Sequence, residues 1–358
     1  MITRYFVASD GTTGAHIEPV APEPWMSNKG GAAGFPSMTT CNPRTVVSSR
    51  VWVGLDSLIP TASSRLVTPY WTNVTSPRSA SLGCMTATGG LDWSRVDVAV
   101  PVGLPTPGVQ MAGFRYQDVA PVDITMIPHP MVTLLLDLSE HGVVYDVLGR
   151  PATGNAIVGL HAGALRITSA GAGDVLQIRV SPVIAAAILR DTDIIGGAVT
   201  PLPELWGSCA AILTERLRST PSWDDRFAIA AAFLRSRVPR GFGVAPEISY
   251  AWDQTVRTRG LLRIETLAAE TGWTRQRLWS RFRTHIGVSP KYASELVRFD
   301  HAAHLLATGR SPADTAVEAG YADQSHLHRR TKAITDMTPT VVARAPWLAI
   351  DEVAWPTT

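Results

Sequence analysis

A chain of 358 residues with 45% apolar and 17% charged side chains has material for two or three domains with real cores, which excludes a wholly disordered protein. Three scattered cysteines, Cys41, Cys84 and Cys209, make neither a disulfide framework nor a four-ligand zinc site and are expected to be free thiols. The net charge of +2 hides an asymmetry, because Arg257 to Arg344 hold 14 Lys and Arg against 8 Asp and Glu; a basic end on a neutral or acidic remainder suits a polyanion-binding module.

In chain order, residues 1–64 carry 12 Gly or Pro and 15 Ser or Thr with no sustained period, which predicts an irregular N-terminal extension with a strand-like piece at Thr45–Val53. From about Leu66 to Ile178, short β-branched runs (Val96–Val100, Asp123–Ile127, Met131–Leu136, Val175–Val180) alternate with Pro and Gly breakers. That texture predicts an antiparallel, barrel-like region. After Ser181-Pro182 the pattern turns helical, at Pro182–Leu189, Leu202–Leu217 and Ser222–Ser236. Val238–Ile248, with two Pro and two Gly, reads as the approach to a last module. The expected division is 1–64 extension, 65–240 β-rich domain with a helical second half, 241–256 linker, 257–345 C-terminal module and 346–358 tail.

The C-terminal module repeats itself. Ile264–Gly287 and Ala313–Asp336 each read as a short helix, a Gly-aromatic turn (Gly272-Trp273, Gly320-Tyr321) and a second, polar helix. Ala268 and Ala316 allow close helix approach, and Gly272 and Gly320 suit the left-handed end of a first helix, which together give helix-turn-helix geometry. Between the copies, Ser289-Pro290 caps a connecting helix whose Tyr292, Leu296, Phe299, Ala303 and Leu306 form one stripe before Gly309. Ser311 to Asp314 then supplies a capping box.

At ~100° per residue, Gln276, Trp279, Ser280 and Arg283 share one arc of the first polar helix, with Leu278 and Phe282 behind. In the second, Ser325, His328, Arg329 and Lys332 share the same arc, with Leu327 and Ile334 behind. Arg reads guanine, Gln adenine, and Ser or His either, so both arcs suit a major groove. Arg275, Arg277, Arg281 and Arg330 flank the arcs, and together with Lys332 they are the candidate phosphate contacts.

The residues LAAETGW, RLWSRFRTHIGVSP, LVRFDHAAHLLATG, AVEAGYADQSHLHRR and the closing MTP resemble the AraC/XylS family DNA-binding domain, a double helix-turn-helix. The resemblance implies two recognition helices in successive major grooves of double-stranded DNA, a transcriptional regulator, and activation as the usual outcome. By position it gives base contacts to Gln276, Trp279 and Ser280 in the first copy and to Ser325, His326 and Arg329 in the second. Thr331 stands where the family usually has a core Phe, Asp336 where it has Gly, Thr315 at an aliphatic position and Ser280 at a frequent Arg. The second copy is therefore expected to be the less rigid.

Pro69-Tyr70-Trp71, Val132–Leu138, VLQIRVSP and PELW are similar to the cupin-like regulatory domain that precedes this module in many family members. The resemblance implies an α+β multidomain chain: a β-rich cupin-like barrel with a helical extension, then an all-α double helix-turn-helix. It also implies ligand binding or dimerisation by the barrel. Trp71, Trp93, His129 and His161 are the residues to examine at the barrel mouth. The implied partners are DNA, RNA polymerase, a small-molecule effector and a second copy. No cofactor, metal or catalytic residue is expected, and neither is a membrane: no run approaches the ~20 apolar residues of a spanning helix and residues 1–14 lack a signal's apolar core. The expected place is the cytoplasm, at the nucleoid.

Two other readings stand beside this one. A cupin-type metal enzyme would use His129, His141 and His161 with Glu140 or Asp146, but it lacks the close His-x-His pair such sites use. An interaction module would turn the basic repeat to acidic proteins.

Overall fold

The computed structural model describes residues 96–355 apart from 102–106, 117–121, 140–141, 148–149, 162, 170, 198, 240–242, 346–347, 349 and 352–353. The expected extension at 1–64, Trp71, Trp93, His141 and Glu140 lie outside the described residues.

Ten strands come first: β1 (Val96–Ala99), β2 (Val109–Tyr116), β3 (Val122–Met126), β4 (Val132–Asp137), β5 (Val143–Val147), β6 (Arg150–Thr153), β7 (Ala156–Val158), β8 (Leu165–Ser169), β9 (Gly173–Val180) and, after two helices, β10 (Val199–Pro201). They form two antiparallel sheets, β1-β2-β9-β4-β7-β10 and β3-β8-β5-β6. Period-two alternation gives the central strands two buried faces. In β4 and β9, Val132, Leu134, Leu136, Leu176, Ile178 and Val180 join a core shared with the helices. The alternate residue Leu135 packs with Val143, Tyr145 and Ile167 of the second sheet, and Val175 packs against that cluster. The expected β-rich domain with a helical second half is thus present, as two packed antiparallel sheets followed by helices.

The helices α1 (Pro182–Leu189), α2 (Thr192–Gly196), α3 (Leu202–Trp206), α4 (Ser208–Arg218), α5 (Trp223–Arg237) and α6 (Pro246–Arg257) follow. Ser181 and Ser222 cap α1 and α5 with their side chains, as serine before a first turn does. The single helix expected over Leu202–Leu217 is two, split at Gly207, whose φ of 53° an α-helix does not allow.

Two expectations are corrected. The linker at 241–256 is largely α6, whose Ile248, Ala251, Trp252 and Thr255 are buried and whose first residue is Pro246. Cys209 is disulfide-bonded, not a free thiol. In the expected tail, Leu348, Ile350, Ala354 and Trp355 are buried.

The C-terminal module comprises α7 (Ile264–Glu270), α8 (Arg275–Ile286), α9 (Pro290–Ala307), α10 (Pro312–Glu318), α11 (Gln324–Thr335) and α12 (Pro339–Ala343). Its first copy is continuous with the rest of the chain: Leu267, Leu278, Phe282, Ile286 and Leu296 belong to the same core as β4, β9 and α1. The second copy rests on a smaller cluster of Ala302, Ala316, Ala319, Tyr321 and Leu327.

Candidate nucleic-acid interface

Each second helix begins on a side-chain cap. Thr274 accepts from the Arg277 amide at 3.2 Å and Asp323 from the His326 amide at 2.6 Å. Each preceding turn depends on a left-handed glycine, Gly272 at φ 68° and Gly320 at φ 70°. The caps satisfy orphan first-turn amides and the glycines redirect the chain, so both recognition helices start at a fixed angle to their partners.

Helical periodicity then divides the faces. On α8, Leu278, Phe282 and Ile286 are buried, while Gln276, Trp279, Ser280 and Arg283 are exposed. Trp279 is 48% exposed, too much for a core aromatic, and the Arg283 guanidinium lies 5.5 Å from its ring centroid, within cation–π range. On α11, Leu327 is buried behind exposed Ser325, His328, Arg329 and Lys332. His326 is half-buried and edge-on to Tyr321. Its Nδ1 accepts from the Ala322 amide at 3.3 Å, so the neutral ring carries its proton on Nε2, a donor.

The flanking cations are not equivalent. Arg277 and Arg281 are exposed, Arg277 over the Trp273 ring at 4.8 Å. Arg275 is exposed but pairs with Glu265 at 3.2 Å. Arg330 is half-buried and ion-paired with Glu295, beside a cleft lined by Lys291, Arg298, Tyr321 and His326. The cleft cations Lys291 and Arg298 were missed in the sequence because they sit on α9, outside either repeat.

Thr315 and Thr331 are both fully buried. Neither hydroxyl has a hydrogen-bond partner among the described residues. Asp336 takes φ 60° where the first copy has Gly287 at φ 81°.

His129 and His161, the histidines named for the barrel mouth, both have partners within the chain. His129 receives the Met131 amide at 3.2 Å and bonds Thr133 Oγ1 at 2.9 Å, and burial holds its pKa well below the usual range. His161 stacks on Tyr292 with ring centroids 3.9 Å apart. Among the described residues no three His, Cys, Asp or Glu are grouped to hold a metal ion, and no helix is long and apolar enough to cross a membrane.

Comparison with known proteins follows this geometry. Residues 267–345 match the family described as "Helix-turn-helix domain". An uncharacterized HTH-type transcriptional regulator, YbfI of Bacillus subtilis, is 34% identical over 64 residues, which are 18% of this chain and 23% of that protein; the chain thus spans under a quarter of this relative's length. ToxT of Vibrio cholerae superposes with a TM-score of 0.40 at 13% identity, covering 66% of this chain and 98% of that one. The C-terminal domain of AraT, a response regulator of Geobacillus stearothermophilus, gives 0.27 at 19% identity over 28% of this chain and 86% of that one. With two capped second helices behind Gly-aromatic turns, residues 267–345 are a double helix-turn-helix of the AraC/XylS type, the DNA-binding unit of transcriptional regulators.

Proposed function

We propose that the whole chain is a cytoplasmic, nucleoid-associated transcriptional regulator, an activator working with RNA polymerase, that reads two successive major grooves of one operator. The observation that carries this reading is the matched pair of exposed polar arcs, Gln276, Trp279, Ser280 and Arg283 on α8 and Ser325, His328 and Arg329 on α11, each backed by a buried leucine. His326 joins the second arc through its Nε2 donor. Arg277, Arg281 and Lys332, exposed beside the arcs, neutralise phosphates and set the register. No step of this function requires a catalytic residue or a cofactor.

The β-rich part is the regulatory half, with a small-molecule effector in its interior or a second copy on its surface. A cavity between the sheets supports the first option: Phe114, Leu135, Tyr145, Ile167 and Val175 line it, the mainly apolar surface that small-molecule sites use.

The test is recovery and sequencing of genomic fragments bound by the full-length protein, then titration of the recovered duplex against a scrambled one at near-physiological salt. Regulators of this kind hold specific sites ~10³–10⁷ times more tightly than random duplex. Equal affinity for the two duplexes would overturn the proposal.

A further inference from the structure

The chain beyond α12 folds back onto the β-domain. Trp355 packs 6.3 Å from Phe114 by ring centroids, and Ile350, Ala354 and Trp355 share a cluster with Val96, Ala112 and Tyr116 of β1 and β2. Ile350, Asp351 and Trp355 thereby become part of the wall of the cavity between the sheets.

The charged part of the cavity wall is formed by β9 and the C-terminal segment. On β9, Gln177 and Arg179 alternate with Leu176, Ile178 and Val180, so they face away from the helices and line the cavity. The Gln177 amide nitrogen and Arg179 Nε are buried and have no hydrogen-bond partner among the described residues. Arg179 gives another nitrogen to Asp351 at 3.2 Å and lies 4.1 Å over the Trp355 ring. A buried cation and a buried amide with unmet donors are costly unless something accepts from them; Asp351 is the carboxylate that accepts from Arg179, with Asp300 of α9 acting on it from further away. The same carboxylate has a second partner, His304 Nε2 of α9 at 3.2 Å. Asp351 therefore joins the cavity to the helix that connects the two helix-turn-helix copies.

As closed, the cavity measures about 80 Å³, below the ~300–1,000 Å³ of small-molecule sites. An occupant of ordinary size has to move a wall, and the wall that belongs to neither sheet is the segment carrying Ile350, Asp351 and Trp355.

We propose that this segment is a strap over the cavity, and that Asp351 stands in for the acid group of a ligand with an apolar body and one anionic end. The ligand's anion takes Arg179 and the unmet Gln177 amide, Asp351 leaves, Trp355 comes away from Phe114, and His304 loses its Asp351 partner and keeps only Asp300 of its own helix, 4.0 Å away. Occupancy is thus reported to the connecting helix. Only that last step rests on the reading of the chain as a DNA-binding regulator.

The test uses full-length protein and two fluorescent apolar probes, anilinonaphthalene sulfonate as the anion and Nile red as the neutral control. Asp351→Asn is expected to raise affinity for the sulfonate about tenfold, by removing the internal competitor, with one site per chain and unchanged near-ultraviolet circular dichroism. Nile red affinity should stay as in the wild type. Trp355→Ala should raise both, and adding Arg179→Gln to Asp351→Asn should abolish the sulfonate gain. Unchanged sulfonate binding in Asp351→Asn, an equal gain for both probes, or a gain only with many sites and lost near-ultraviolet signal would each overturn the strap. If the probes behave as expected but the protein binds all duplexes alike, the strap stands and the regulator reading falls.

Discussion

Gly196, at the end of α2, and Gly287, at the end of α8, meet backbone to backbone. A Cβ on Gly196 would lie 2.5 Å from the Gly287 carbonyl oxygen, and one on Gly287 would lie 2.2 Å from that of Thr192. This contact seats the first recognition helix on the helical layer of the β-domain, and nearby the Tyr292 hydroxyl donates to the Leu160 carbonyl at 3.1 Å.

Gly196→Ala should therefore loosen the seat without touching either recognition face. Overpacking of this kind costs ~1–3 kcal/mol, read as a lower urea midpoint, with faster protease cleavage between α2 and α8. Wild-type stability and cleavage would show that the two backbones can separate freely.

Thr331→Val and Thr315→Val keep the side-chain shape and remove a buried hydroxyl with no partner. Each should stabilise the second copy by ~1 kcal/mol. Asp336→Gly should add ~1 kcal/mol by relieving a left-handed residue. Before these changes, amide exchange should be faster in α10 and α11 than in α7 and α8, because the second copy rests on a smaller cluster. Equal or greater protection in α10 and α11 would contradict this.

Arg329→Ala should cost ~1–3 kcal/mol on the cognate duplex and relax the preference at one base pair. Arg281→Ala should instead weaken every duplex alike and flatten the salt dependence by about one ion. Affinities measured across salt and across single-base variants separate the two; indistinguishable effects would defeat the division between base and phosphate contacts.

The hydrogen bond to Asp351 raises the His304 pKa to about 9, with Asp300 on its own helix adding to the effect against burial. Asp351 is held below the usual carboxylate range: burial opposes this, and His304 and Arg179 outweigh it. His129, Arg179 and His301 are the other charged or titratable neighbours in the group. Because the folded-state value of His304 is raised, its contribution to stability is full below the ordinary histidine value of ~6.5 and is lost as pH rises through about 9. The carboxylate's contribution is lost on the acid side, as pH falls through its lowered value. Urea midpoints from neutral to alkaline pH should fall for the wild type and stay flatter for His304→Asn. Parallel curves would remove His304 from the ion pair.

Much of the C-terminal module is legible in the sequence because its determinants are local. A cap, a glycine and a three-four spacing act within a turn or two, so Ser289, Gly309, Ser311 and the stripe through Leu296, Phe299, Ala303 and Leu306 place α9 and its neighbours before any tertiary contact is known. Strands β1, β3, β4 and β9 follow from β-branched runs between breakers for the same reason. The outward faces of α8 and α11 are equally local, since 100° per residue decides which side a leucine leaves for the arginines.

What only the tertiary structure decided depends on residues far apart in the chain. Gln177 and Arg179 alternate with apolar residues as a solvated strand face would, and nothing nearby in sequence says that Trp355 and Asp351 cover them. Arg330 has the same outward spacing as its neighbours until Glu295 of α9 takes its charge. The Pro- and Gly-rich approach to Ile248 reads as a linker because breakers are local signals, whereas the burial of Trp252 against Phe282 is set by the packing of a whole core. Local signals fix which residues form a helix or strand; long-range burial and charge pairing decide which of their faces remain free to bind.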